Sequence, residues 1–140
     1  MQKDYIRKNI RKIITETILE KNDINEILKG YIQCALWTEE ERLESEGAEV
    51  TFENVDEDSI IEAYLDIKKF IQNAGDTAAK EAVNANGLIK LGMDIWLTRN
   101  FHGAGFFDHS YENEEQLINA AKNLKSQDLY LGDDGYLHFM

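Results

Sequence analysis

Helices first and a small antiparallel sheet last, an α+β arrangement, is the fold class that this sequence predicts. Three observations lead to it. Isoleucine and leucine recur at helical spacing between Ile6 and Ile71. Short alternating β-prone stretches appear only after Met93, around glycine-containing turns. Elements in that order segregate helices from strands, whereas a wound parallel sheet alternates them. The 140 residues suit one domain over 1–140, long enough to bury roughly two-thirds of the unfolded surface.

Taken in order, Ile6, Ile10, Ile13, Ile14 and Ile18 form one apolar stripe and predict a helix from about Lys3 to Glu20. Asn22 and Asp23 punctuate the chain, and Asp23 with Glu26 has the spacing of a capping pair. Ile24, Ile27, Leu28, Tyr31, Ile32, Ala35 and Leu36 predict a second helix, with Gly30 inside it as a sign of close packing. From Thr38 to Val55 periodicity fades and acids accumulate, which reads mostly as loop. Asp56, Asp58 and Ser59 can start a third helix running to about Asn73, and Gly75 ends it. A fourth, weaker helix begins at Asp76 or Thr77 and fades near Gly87 or Gly92.

The stretch Asp94–Arg99 alternates and is read as a strand, paired in a hairpin with Ala104–Asp108. Glu114 to Lys125 carries Leu117, Ile118, Ala121 and Leu124 on one side, as a helix would. Asp128–Leu131 and Tyr136–Phe139 flank an Asp-Gly turn, the strongest short-range hairpin signal. Two hairpins then make a sheet of three or four strands with helices over one face.

Composition limits the function. No apolar run approaches the roughly 20 residues needed to span a bilayer, and Met1 opens no leader pattern, so no membrane partner is expected. Cys34 is the single cysteine, which excludes an internal disulfide and points to the cytoplasm. Asp and Glu number 27 against 15 Lys and Arg, a net charge of −12, which opposes direct binding to nucleic acid. The charge is uneven. Lys3, Arg7, Lys8, Arg11 and Lys12 make a basic start, whereas from Glu39 to Glu62 only Arg42 opposes a run of acids. Such a run is either a solvated face or an anionic surface aimed at a basic partner, with Glu39, Glu40, Glu41, Glu44, Glu46 and Glu49 as its core.

Residues 96–108 concentrate chemically capable side chains. Arg99 could hold an anion bidentately, Asn100 could hydrogen-bond a ligand, and His102 with Asp108 could form an acid–base pair if a hairpin joined them. The same residues also serve as turn formers and as a cross-strand ion pair. Phosphate-loop, dinucleotide and metal-ligand spacings are missing, and no cofactor is expected. His102, His109 and His138 are spaced too loosely for a zinc site, and Asp133–Asp134 reads as a turn rather than a cation site. Cys34, between Tyr31 and Ala35, reads as a buried inert thiol.

Three blocks carry a resemblance: Tyr31 to Trp37 (YIQCALW), Asp94 to Asp108 (DIWLTRNFHGAGFFD) and Asp128 to Leu137 (DLYLGDDGYL). In this order they resemble a family of small acidic proteins encoded by phages, prophages and plasmids, a family of unknown function. Members of that family often carry glycine at the position of Phe101, tryptophan at Phe107, arginine at His109 and histidine at Met93. The resemblance implies a mobile-element setting in a bacterial host and supports a hairpin at residues 94–108. It implies no activity and no site residues.

Two readings follow. One is a non-enzymatic accessory protein that inhibits or modulates a basic, nucleic-acid-handling host protein, with the acidic stretch imitating a phosphate backbone or steering the encounter. The other is a small-ligand site or enzyme at Arg99, Asn100, His102 and Asp108. A homodimer through the sheet edge is compatible with either.

Overall fold

The structure, a computed structural model, describes residues 20–102, 105–107 and 111–140. The helix expected at Lys3–Glu20 lies outside them except for its last residue, and so does residue 108. Among the described residues there are five α-helices, two short 3-10 turns and one two-stranded antiparallel sheet.

Helix α1 covers Lys21–Ser45. Glu20 caps it, and its backbone N–H donates to Asp23 Oδ2 at 3.3 Å. The helix continues well beyond Thr38, through residues expected as loop. Glutamate is a good helix former, Leu43 is fully buried and anchors the last turns, and Arg42 bridges Glu39 and Glu46 at 3.0 and 3.2 Å along the helix. The fading apolar period therefore marks a helix leaving the core, not a helix ending.

Helix α2 spans Glu57–Ala74, as expected, with the Asp56 carboxylate accepting from the Ser59 N–H at its N-terminus. Gly75, at φ 92°, turns the chain into α3, Asp76–Asn86. Gly87 turns it again into α4, Leu88–Arg99. After a short 3-10 turn, Gly105–Phe107, comes α5, Glu114–Asn123. Strands β1, Leu129–Leu131, and β2, Leu137–Phe139, form the expected C-terminal hairpin, pairing Leu129 with Phe139 and Leu131 with Leu137. The hairpin is tied to the start of α2 by a parallel bridge from Val55 to Leu137 and an Asp56 N–H bond to the Leu137 carbonyl at 2.8 Å.

The first expected hairpin is corrected. Asp94–Arg99 is the second half of α4, and Gly105–Phe107 is a helical turn rather than a partner strand. The sheet among the described residues therefore has two strands, not three or four. The physical reason is visible when the segment is read from Leu88. Leu91, Gly92, Ile95, Trp96 and Arg99 recur at spacings of one, three and four, and all are buried. A window opening at Asp94 contains less than two turns, too short to distinguish the two periods.

The centre of the fold is the crossing of α1 on α4, made by two glycines that face each other's backbone. A Cβ on Gly30 would lie 1.9 Å from the Ile89 carbonyl oxygen, and one on Gly92 would lie 1.9 Å from the Ile27 carbonyl oxygen. The helices thus touch main chain to main chain, closer than side chains of any size permit. Around the crossing, Tyr31 meets Trp96 edge-on with ring centroids 5.4 Å apart, and Phe139 of β2 packs 5.7 Å from both. On the other side Phe70 stacks on Phe106 at 5.8 Å, and Phe106 meets Tyr111 at 5.4 Å.

Helix propensity alone favours alanine over glycine by about 1 kcal/mol in a helix interior. The backbone contact reverses that sign. Gly30→Ala or Gly92→Ala is expected to cost about 3 kcal/mol, read as a lower midpoint of urea unfolding; a midpoint that holds or rises would remove the close crossing.

Candidate functional site

Arg99 ends α4 with its side chain 3% exposed, directed into the protein. Its guanidinium is engaged on every nitrogen. Nε donates to the Lys125 carbonyl at 2.7 Å, and Nη2 donates to the Leu124 carbonyl at 2.8 Å. Nη1 lies 2.9 Å from both the Tyr31 hydroxyl and Asp66 Oδ2, and 3.4 Å from Gln127 Oε1. One side chain thereby joins α1, α2 and α4 to the C-terminal end of α5, where carbonyls lack helical partners and the dipole favours a cation. The Tyr31 hydroxyl donates in turn to Gln127 Oε1 at 2.5 Å. Burial, offset in part by the Arg99 charge, raises the tyrosine pKa far above its ordinary value, so it remains a neutral donor.

Asn100 belongs to the same assembly. Its amide donates to the Trp96 carbonyl at 3.1 Å, and its Oδ1 accepts from the Gln127 N–H at 2.8 Å. These two candidates therefore lie together, but their polar groups meet protein atoms. His102 is separate and exposed, just beyond the helix end. Asp108 lies outside the described residues, so its expected pairing with His102 or Arg99 has no counterpart among them. A groove of about 520 Å³ lined by Ile24, Leu65, Lys68, Ile71 and Gly75 has none of Arg99, Asn100 and His102 in its wall.

Position 101 has a backbone explanation of its own. Phe101 takes φ 59°, in the left-handed region where glycine is at ease. Its ring is 66% exposed, with Lys122 Nζ 5.7 Å from its centroid and 5.5 Å from that of Phe107. Glycine at this position, the expected alternative from the sequence resemblance, would suit the turn without strain.

The acidic candidates have a different setting. Glu40, Glu41, Glu44, Glu46 and Glu49 are exposed, and Glu39 is half-buried. Glu53, Glu57, Asp58 and Glu62 extend the exposed series past the α2 start. Arg42 is bound to Glu39 and Glu46 and donates through Nη2 to the Leu129 carbonyl at 2.5 Å. It anchors the helix to β1 and neutralises little of the remaining face. Trp37, which sequence reasoning passed over as a functional residue, is 70% exposed one turn before Glu40 and Glu41. Residues 37, 41 and 44 share a helix face. The discoverable signal was spacing: Trp37 falls off the stripe of Ile27, Tyr31 and Cys34 that the helix buries.

Cys34 is buried, and desolvation, with the nearby Asp94 charge adding to it and Lys90 opposing, pushes its thiol up to about 11.

At pH 8, folded protein should react with a disulfide reagent roughly a hundredfold more slowly than unfolded chain, because the Cys34 thiolate is that much scarcer. Equal rates would place the thiol at the surface. Arg99→Lys keeps the charge but loses the planar fork, and is expected to destabilise by about 2–4 kcal/mol in urea unfolding. A loss below measurement error would show that the guanidinium contacts are dispensable.

No family model matches the chain, and no curated protein or solved structure is significantly similar to it.

Proposed function

We propose that this protein is a non-enzymatic binding module, an accessory protein of a bacterial mobile element, whose acidic face engages a basic surface on a host protein and modulates it. One observation carries the reading: a 70% exposed Trp37 shares a helix face with Glu41 and Glu44, beside Glu40. A solvated charged face has no need of a large exposed indole. An interface uses both, because tryptophan supplies the desolvated anchor and the carboxylates steer and align the encounter. The exposed acids continue along the chain through Glu46, Glu49, Glu57, Asp58 and Glu62. The most natural counterpart of the acidic face is a groove built to hold phosphates, hence a nucleic-acid-handling partner.

The Arg99–Asn100 assembly supports this reading by subtraction. Its donors serve the fold, so an anion held by Arg99 would have to displace Asp66 and two backbone carbonyls. That leaves the surface rather than the helix end as the region with unassigned chemistry.

The test is affinity capture from bacterial lysate at low and high salt, using wild type, Trp37→Ala, and the triple variant Glu40→Gln, Glu41→Gln, Glu44→Gln. A basic partner held by wild type at low salt is expected to be lost at high salt. The triple variant should weaken purified-complex affinity about tenfold or more, and Trp37→Ala should do so by a similar factor. Unchanged affinity in both variants would refute the proposed face.

A further inference from the structure

The turn Gly132–Gly135 reads from sequence as two acids without further ligands. The fold supplies those ligands from elsewhere. His138, four residues after Asp134 in β2, points its ring back over the turn, with Nε2 at 2.9 and 3.0 Å from the two carboxylate oxygens of Asp134. Its Nδ1 lies 3.7 Å from Oδ2 of Asp56, the capping residue of α2. Asp56, Asp134 and His138 each offer a ligand atom, and these atoms all lie within 4.8 Å of one another. We propose that these three residues form a binding site for a divalent transition-metal ion, with zinc as the representative.

The geometry favours such an ion. Zinc takes nitrogen and carboxylate oxygen at about 2.0–2.2 Å, which sets ligand atoms roughly 3–4 Å apart, so side-chain rotations of about 1 Å close the set. The backbone beneath is already fixed. Asp56 N–H donates to the Leu137 carbonyl at 2.8 Å, so the start of α2 and strand β2 hold their separation without the ion. Asp134 is oriented by the Tyr136 N–H at 3.0 Å, and Asp56 by the Ser59 N–H at 3.3 Å. These bonds play the part that outer hydrogen bonds play around known metal ligands.

Two further features position the imidazole. The Tyr130 ring stacks on His138 with centroids 5.5 Å apart. On the turn side, a Cβ at Gly132 would lie 2.7 Å from both His138 Nε2 and Asp134 Oδ1. The residue at 132 has no positive φ to accommodate, so the space that this glycine leaves is used by the histidine–aspartate pair rather than by the turn. The imidazole separates this cluster from an ordinary group of surface acids. One nitrogen with two carboxylates selects zinc, cobalt or manganese over magnesium and calcium, which prefer all-oxygen sets. Three protein ligands leave coordination positions for water.

The proposal is independent of the acidic-face reading and is tested on the full chain by calorimetric titration with zinc chloride. The expected result is one saturable site, not displaced by excess magnesium. Asp134→Asn, at an exposed turn position where the amide oxygen can still accept from Tyr136, and His138→Gln should each weaken zinc about tenfold or more. Asp133→Asn, in the same turn but outside the cluster, should bind as wild type does. Zinc should also raise the melting temperature of wild type, and not that of Asp134→Asn. The absence of saturable binding would overturn the site, and so would zinc affinity that Asp134→Asn leaves unchanged or that Asp133→Asn lowers equally.

Discussion

Main-chain contact between α1 and α4 is the constraint on which the rest of the structure depends. Gly30 and Gly92 remove the two side chains that would hold the helices apart, and each puts its bare Cα against the partner's carbonyl. Everything placed next follows from that separation. Tyr31 and Trp96, one residue beyond Gly30 and four beyond Gly92, meet edge to face because the helix axes are close. The same proximity brings the Tyr31 hydroxyl within reach of the Arg99 guanidinium, one turn farther along α4. A wider crossing would leave a buried cation short of a partner, which is far costlier than a lost van der Waals contact.

Arg99 then acts as the polar complement of the glycine crossing. Apolar packing has no direction of its own, whereas the guanidinium demands acceptors at fixed angles. By accepting at Leu124 and Lys125, the end of α5 is set at one height and one rotation relative to α4. Gln127, bonded to both Tyr31 and Asn100, carries that setting into β1, two residues on. The sheet is small, and its position comes from this polar relay and from its bonds to Val55 and Asp56 rather than from its own pairing.

Much of this was legible in the sequence, for reasons that differ by element. The helix over Glu57–Ala74 carries a cap, an apolar stripe and a terminal glycine that agree, and the C-terminal hairpin has its Asp-Gly turn between alternating hydrophobics. The Asp94–Arg99 segment deceived because six residues are less than two helical turns, and the helical period shows only when the reading starts at Leu88. The candidate site shared that error. Arg99 was read in a hairpin register, as an anion holder or a cross-strand ion pair, whereas the helix register gives it Tyr31, Asp66 and Gln127. Asp56 and His138 were invisible as neighbours, since eighty-two residues separate them and it is the bridge from Val55 to Leu137, with the Asp56 bond to the Leu137 carbonyl, that brings them together. The acidic surface was legible from charge alone, but its exposed tryptophan required knowing that α1 continues to Ser45.

The glycine crossing also has a temporal side. Gly30 contacts Ile89, fifty-nine residues later in the chain. A ribosome adding about 5–20 residues per second therefore makes Gly30 roughly 3–12 s before its partner backbone exists. During that interval α1 has no complementary surface to close on, and Ile27, Tyr31 and Ile32, all fully buried in the finished fold, remain uncovered. Helices α2 and α3 are made in the interim, but they cannot substitute for a groove shaped by Gly92. Closure of α1 on its partner thus waits until α4 has left the exit tunnel, and until then its apolar stripe needs shielding from other chains.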